Sequence, residues 1–114
     1  MSETKNLQMI ANNLVPAIAV HPGEIIREEL EFRGISQREL ARATGVSPTI
    51  INEFIKGKRG LGTELALLLG AALDLDAEPL LELQTRYDIF KAKSNPAFQK
   101  KLTSAMCLRE TSLA

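Results

Sequence analysis

The sequence predicts an all-α protein: five helices joined by short connections, preceded by an extended arm and followed by a segment able to form one further helix. Apolar residues recur at helical spacing from Ile25 to Ile89, which is the pattern of amphipathic helices. Glycines, and Ser or Asp caps followed by proline or glutamate, interrupt that pattern at regular intervals. No segment alternates convincingly at the period of two that a half-buried strand requires. A chain of 114 residues, 45% hydrophobic and 25% charged, has the size and composition of one globular domain, and burying roughly two-thirds of its unfolded surface is enough to build a core.

Residues 1–20 are expected to form an arm, because the run Leu14 to Val20 is apolar but interrupted by Pro16 and has no helical period. Pro22-Gly23 opens the first helix. Glu24, Glu28 and Glu29 lie in its early turns, where carboxylates favour the positive helix end, and Ile25, Ile26, Leu30 and Phe32 supply an apolar stripe that ends at Gly34. Ser36 with Glu39 three residues later is a capping-box pattern, so the second helix is expected over Gln37 to Thr44, before Gly45. Ser47 and Pro48 start a third, which continues to about Lys56. The fourth, Thr63 to Leu73, is almost entirely apolar, and its composition predicts the central buried helix. Asp76 caps a fifth that tolerates Pro79 in its first turn and carries Leu80, Leu81, Leu83, Tyr87 and Ile89 on its apolar side. Residues 21–90 thus form the helical domain, and 91–114 a basic tail in which Ala97 to Leu108 is a weaker helix or frays.

Net charge is zero, but its distribution is uneven. Between Gln37 and Arg59 the bases Arg38, Arg42, Lys56, Lys58 and Arg59 outnumber the acids Glu39 and Glu53; from Gly60 to Phe90 the acids Glu64, Asp74, Asp76, Glu78, Glu82 and Asp88 face Arg86 alone. Such asymmetry assigns one face to an anionic partner and another to a different task.

The second and third helices match the spacing of a helix-turn-helix. That motif needs a small residue inside its first helix, a turn glycine, and apolar anchors in its second helix; Ala41, Gly45, Val46, Ile51 and Ile55 occupy those positions. With Ile51, Phe54 and Ile55 turned inward, Thr49, Asn52 and Glu53 are the candidates for base edges of duplex DNA. Asn pairs in bidentate fashion with adenine, Thr reaches a base or a thymine methyl, and a carboxylate accepts from cytosine. Phosphate contacts are expected from Gln37, Arg38, Ser47, Lys56, Lys58 and Arg59, which flank the reading helix. The bland alternative is a helical hairpin with a solvated basic loop. A module that sequesters a protein partner, with weak DNA binding, is the competing functional class, motivated by Glu53 and the zero net charge.

From His21 to Asp88 the chain resembles the HigA (VapI) antitoxins, a branch of the Xre/Cro-like helix-turn-helix proteins. His21-Pro22-Gly23-Glu24, the Gly57-Lys58-Arg59 loop, Leu83-Gln84 and Tyr87-Asp88 occur in the family's order. The resemblance implies the compact five-helix Xre or lambda-repressor-like bundle. It also implies a homodimeric repressor of its own operator DNA that neutralises a HigB-type, mRNA-cleaving toxin; a regulator of the same type without a toxin is the alternative. One departure is Leu80, in a chain without tryptophan, where the family often places an aromatic at the head of the fifth helix. Leu80, Leu83 and Tyr87 share a side of that helix and are the expected dimer interface. The toxin's surface is expected on the arm or on the tail from Lys91.

Enzymatic chemistry is not expected. His21 is the lone histidine and Cys107 the lone cysteine, so neither a His-based dyad nor a Cys/His metal site is available. His21 is read as capping or packing at the helix entrance, and Cys107 as an ordinary thiol. Glu24, Glu28 and Glu29 are explained by the helix start. Gly60-Leu61-Gly62 lacks the strand-turn-helix setting of a phosphate-binding loop, and the five aromatics are too scattered for a stacking platform. No cofactor is called for, and without a membrane-length apolar run or a signal peptide, the expected location is the cytoplasm.

Overall fold

The computed structural model describes residues 19–113, and all regular structure among them is helical. In chain order the helices are α1 (Pro22–Arg33), α2 (Gln37–Thr44), α3 (Pro48–Ile55), α4 (Thr63–Leu73), α5 (Ala77–Ser94) and α6 (Pro96–Leu113). The described residues fall into two compact units, Val20–Arg86 and the segment from Tyr87 onward. The expected N-terminal arm lies outside the described residues apart from Ala19 and Val20, which have no regular structure.

In the first unit a single core joins α1 to α5. It contains Ile26, Leu30, Leu40, Ala41, Ile51, Phe54, Ile55, Leu61, Ala66, Leu69, Leu73 and Leu80. Helices α1, α3 and α4 contribute residues three or four apart, so each buries one stripe and leaves its opposite side to solvent; α2 adds the neighbours Leu40 and Ala41, and α5 adds Leu80. Phe32 is not in the core, contrary to the sequence expectation: it is 89% exposed, because it is turned well away from the i, i+4 stripe of Ile26 and Leu30. The expectation that α4 is the central buried helix is met on one side only. Only Ala66, Leu69, Gly70 and Leu73 are buried, while Leu67 is 58% and Leu68 39% exposed. Composition alone cannot distinguish a central helix from one that packs on a single side; the Ala66, Leu69, Leu73 spacing carries the difference.

The helix starts follow local chemistry closely. Ser36 and Glu39 form the reciprocal capping box: the Glu39 amide donates to Ser36 Oγ at 3.0 Å and the Ser36 amide to Glu39 Oε1 at 3.0 Å. Hydrogen bonding from Ser36, its backbone first and its side chain second, holds the Glu39 carboxyl below its usual range; Arg42 adds to this and desolvation opposes it. The folded form therefore prefers the ionised carboxylate. Its stabilising contribution is complete above the ordinary glutamate range and is lost as pH falls through the lowered folded value. Accordingly, the thermal stability margin of the wild type over Glu39→Ala is expected to be constant near neutral pH and to shrink on acidification. A margin that grows toward acid pH would show that the box is not held by the charged carboxylate.

The second unit contains the end of α5 and all of α6. The sixth segment is a full 18-residue helix, longer and more regular than the weak helix or frayed tail expected. Asn95 caps it, accepting from the amides of Ala97 at 2.9 Å and Phe98 at 3.3 Å, with Pro96 at the first helical position. This is the same pairing of cap and proline that starts α3. No helix among the described residues is long and apolar enough to cross a membrane.

Candidate nucleic-acid interface

Helices α2 and α3 are joined by Gly45, Val46 and Ser47. Gly45 sits at φ 72°, left-handed backbone that a side chain with a Cβ adopts only at a cost. Ala41 is 4% exposed; its small side chain lets α3 pack close to α2. The α3 N-terminus is capped by Ser47, whose Oγ accepts from the Thr49 amide at 3.2 Å. Inward, α3 is anchored by Ile51, Phe54 and Ile55, all buried. Its far end is gripped by α1: a Cβ added to Gly23 would collide with the carbonyl oxygen of Phe54 and approach Ile55 Cα at 3.1 Å, so only glycine admits this approach. The ring of His21 lies 5.5 Å from that of Phe54.

Outward, the same helix presents Thr49, exposed, and Asn52 and Glu53, half-buried. Asn52 Nδ2 donates to Gln37 Oε1 at 3.1 Å across the two helices. Gln37, Arg38, Pro48, Thr49 and Asn52 line one open depression, and Arg38, Ala41, Arg42, Gly45, Val46, Ser47 and Pro48 line another. The structure therefore brings Gln37, Arg38, Ser47, Thr49 and Asn52 onto one continuous surface. Glu53 is engaged within the chain: its Oε1 accepts from Arg59 Nη2 at 2.8 Å and Nε at 3.1 Å. Lys56, Lys58 and Arg59 are exposed. The chain leaves α3 through Gly57, with the Gly57 amide donating to Phe54 O at 3.0 Å and the Lys58 amide to Glu53 O at 2.8 Å, so this turn ties the basic loop to the last carbonyls of the helix.

Two buried polar side chains bear on that loop. His21 caps α1, its Nδ1 accepting from the Gly23 amide at 2.9 Å, and its Nε2 lies 3.0 Å from the Arg59 carbonyl. With Nδ1 an acceptor, Nε2 carries the proton and donates. Gln84, on α5, accepts at Oε1 from the Leu61 amide at 2.9 Å. The capping role of His21 was legible in the sequence; its bond to the loop was not. For Gln84 the signal was an amide one turn after Leu80 on a buried stripe, where a polar side chain implies a buried partner.

Of the expected dimer residues, Leu80 is 5% exposed and belongs to the chain's own core. It supplies the volume at the head of α5 internally and is thereby removed from the candidate interface, whereas Leu83 and Tyr87 are half-buried. Among the described residues no three His, Cys, Asp or Glu side chains are grouped to hold a metal ion.

A helix-turn-helix family model matches residues 26–80. Virulence-associated protein I of Dichelobacter nodosus is 44% identical over 78 residues, covering 68% of this chain and 72% of that protein. Among solved structures, the Pseudomonas aeruginosa antitoxin HigA with the higBA promoter is similar at a TM-score of 0.67 and 35% identity, over 75% of this chain and 91% of that one. An addiction module antidote protein of the HigA family from Coxiella burnetii gives a TM-score of 0.66 at 31% identity, over 75% and 92%.

Proposed function

Because the chain belongs to the helix-turn-helix family of virulence-associated protein I and the HigA antitoxins, we propose that it is a transcriptional repressor that reads its own operator with α3 and serves as the antidote to a toxin. The observation that carries the operator reading is the Gln37–Asn52 hydrogen bond at 3.1 Å. One Nδ2 proton of Asn52 is committed to Gln37, which fixes the plane of its amide. The second proton and Oδ1 remain as the donor and acceptor pair that matches adenine N7 and N6. Thr49 beside it meets a base or phosphate. Glu53 holds Arg59 through Oε1 and leaves Oε2 for a cytosine amine. Ser47, Arg38, Lys56, Lys58 and Arg59 contact phosphates, and Gln37 adds its own amide to that set.

A reader of this kind acts as a symmetric homodimer, its two α3 helices meeting major grooves about 34 Å apart. Leu83 and Tyr87 are the residues of the expected interface that remain for this role. The antidote role rests on the similarity to the two named antitoxin structures; co-expression with a toxin encoded beside its gene should restore growth and yield a stable complex, and persistent toxicity would remove this role while leaving the repressor.

For the operator reading, Asn52→Ala is expected to cost about 1–3 kcal/mol of preference for the promoter fragment over random duplex. Binding to random duplex should hardly change. An equal loss on both DNAs would contradict base reading by Asn52.

A further inference from the structure

We infer that His21 and Gln84 are positioning residues for operator binding, clamping the basic loop after α3 in its phosphate-binding conformation before DNA arrives. The inference rests on the operator reading proposed above and extends it to two side chains remote from the reading helix's outer face. Both are buried, at 6% and 7% exposure. They grip the loop on either side of Gly60: His21 Nε2 donates to the Arg59 carbonyl at 3.0 Å, and Gln84 Oε1 accepts from the Leu61 amide at 2.9 Å. Gly60 itself runs so close to Gln84 that a Cβ there would approach Nε2 to 3.3 Å. The Arg59 guanidinium is meanwhile held by Glu53 of α3, and the Lys58 amide by the Glu53 carbonyl at 2.8 Å.

The cations of this loop are thus presented from a backbone fixed to three separate places: the cap of α1, the end of α3 and the middle of α5. A loop ordered only on binding loses its conformational freedom at that step and weakens affinity accordingly; one already ordered does not. Neither clamp residue needs to touch DNA to act in this way.

A double-mutant cycle separates positioning from mere stability. Gln84→Met removes the acceptor but keeps the length of the side chain. His21→Asn keeps an acceptor for the Gly23 amide, but its side chain is too short to reach the Arg59 carbonyl. In each variant, folded by circular dichroism at the assay temperature, operator affinity is expected to fall about tenfold, with the salt slope shallower by about one. Lys58→Gln should then cost less in either background than in the wild type, because the lysine is no longer placed. The same cost in all three backgrounds would overturn the inference. Amide exchange of the unsubstituted protein gives a second test that does not depend on the variants' folding. The Leu61 amide is expected to exchange as slowly in the free protein as in the operator complex; protection acquired only with DNA would equally overturn the clamp. Failure of the wild type to prefer its promoter fragment would overturn the operator reading and this inference together, whereas promoter preference with an additive cycle overturns the clamp alone.

Discussion

Reversing both charges of the loop, with Lys58→Glu and Arg59→Glu in one chain, is expected to lower operator affinity by roughly two orders of magnitude or more near ~0.15 M salt and to reduce the salt slope by about two. Each phosphate contact releases counterions, so its loss appears both as affinity and as a shallower dependence on salt. The effect should be uniform across DNA sequences, because phosphates position the protein without identifying bases. Stability should change little. The Glu53–Arg59 pair is exposed, with side-chain accessibilities of 39% and 48%, and such pairs contribute about 0–1 kcal/mol. Toxin binding should survive the double substitution. Titration of promoter fragment and random duplex across a salt series checks the result, and unchanged affinity would separate the basic loop from DNA.

Truncating Phe54 to Ala is the second large effect. Phe54 is fully buried at the centre of the core, its backbone oxygen is packed against Gly23 and its ring lies 5.5 Å from that of His21. Loss of a buried phenylalanine costs about 3–5 kcal/mol, a large share of the roughly 5–15 kcal/mol that separates a domain from its unfolded state. Phe54→Ala should therefore melt at much lower temperature and lose DNA binding with the fold, since the reading surface and the core are opposite sides of one short helix. A cooperative melt within about 1 kcal/mol of the wild type would mean that α3 is not anchored as described.

The parts of this structure that were legible in the sequence are those governed by neighbouring residues. Ser36 with Glu39, Ser47 with Pro48, and His21 with Pro22 each set a helix start by local capping, and the starts and ends of α1 to α4 follow within a residue or so. The inward set of α3, Ile51, Phe54 and Ile55, followed from helical spacing. The parts that were not legible depend on what a helix meets in space. Phe32 and Leu67 are as apolar as Ile26 and Leu69, yet only the latter face other helices. Leu80 shares a side of α5 with Leu83 and Tyr87, but tertiary packing takes Leu80 alone into the core. Asn95 before Pro96 was a local signal of the kind that located α3, and it locates α6 equally well.

At the interface the sequence identified the residue types and their spacing, and the structure supplies their connections. Gln37 was expected on a phosphate and is found bonded to Asn52; Glu53 was expected on a base and is found bonded to Arg59. Neither bond has a sequence signature, since each joins residues from different helices or from a helix and the loop beyond it. The His21 and Gln84 contacts to the loop depend still more on the fold, spanning 38 and 23 positions of the chain.

The most direct test of the central claim is binding of the purified protein to a DNA fragment from its own promoter, in competition with random duplex, as salt is raised. A specific complex that prefers the promoter and weakens steeply with salt is the predicted result; equal binding to both DNAs, or no binding to either at any salt, would contradict the assignment of α3 as an operator-reading helix.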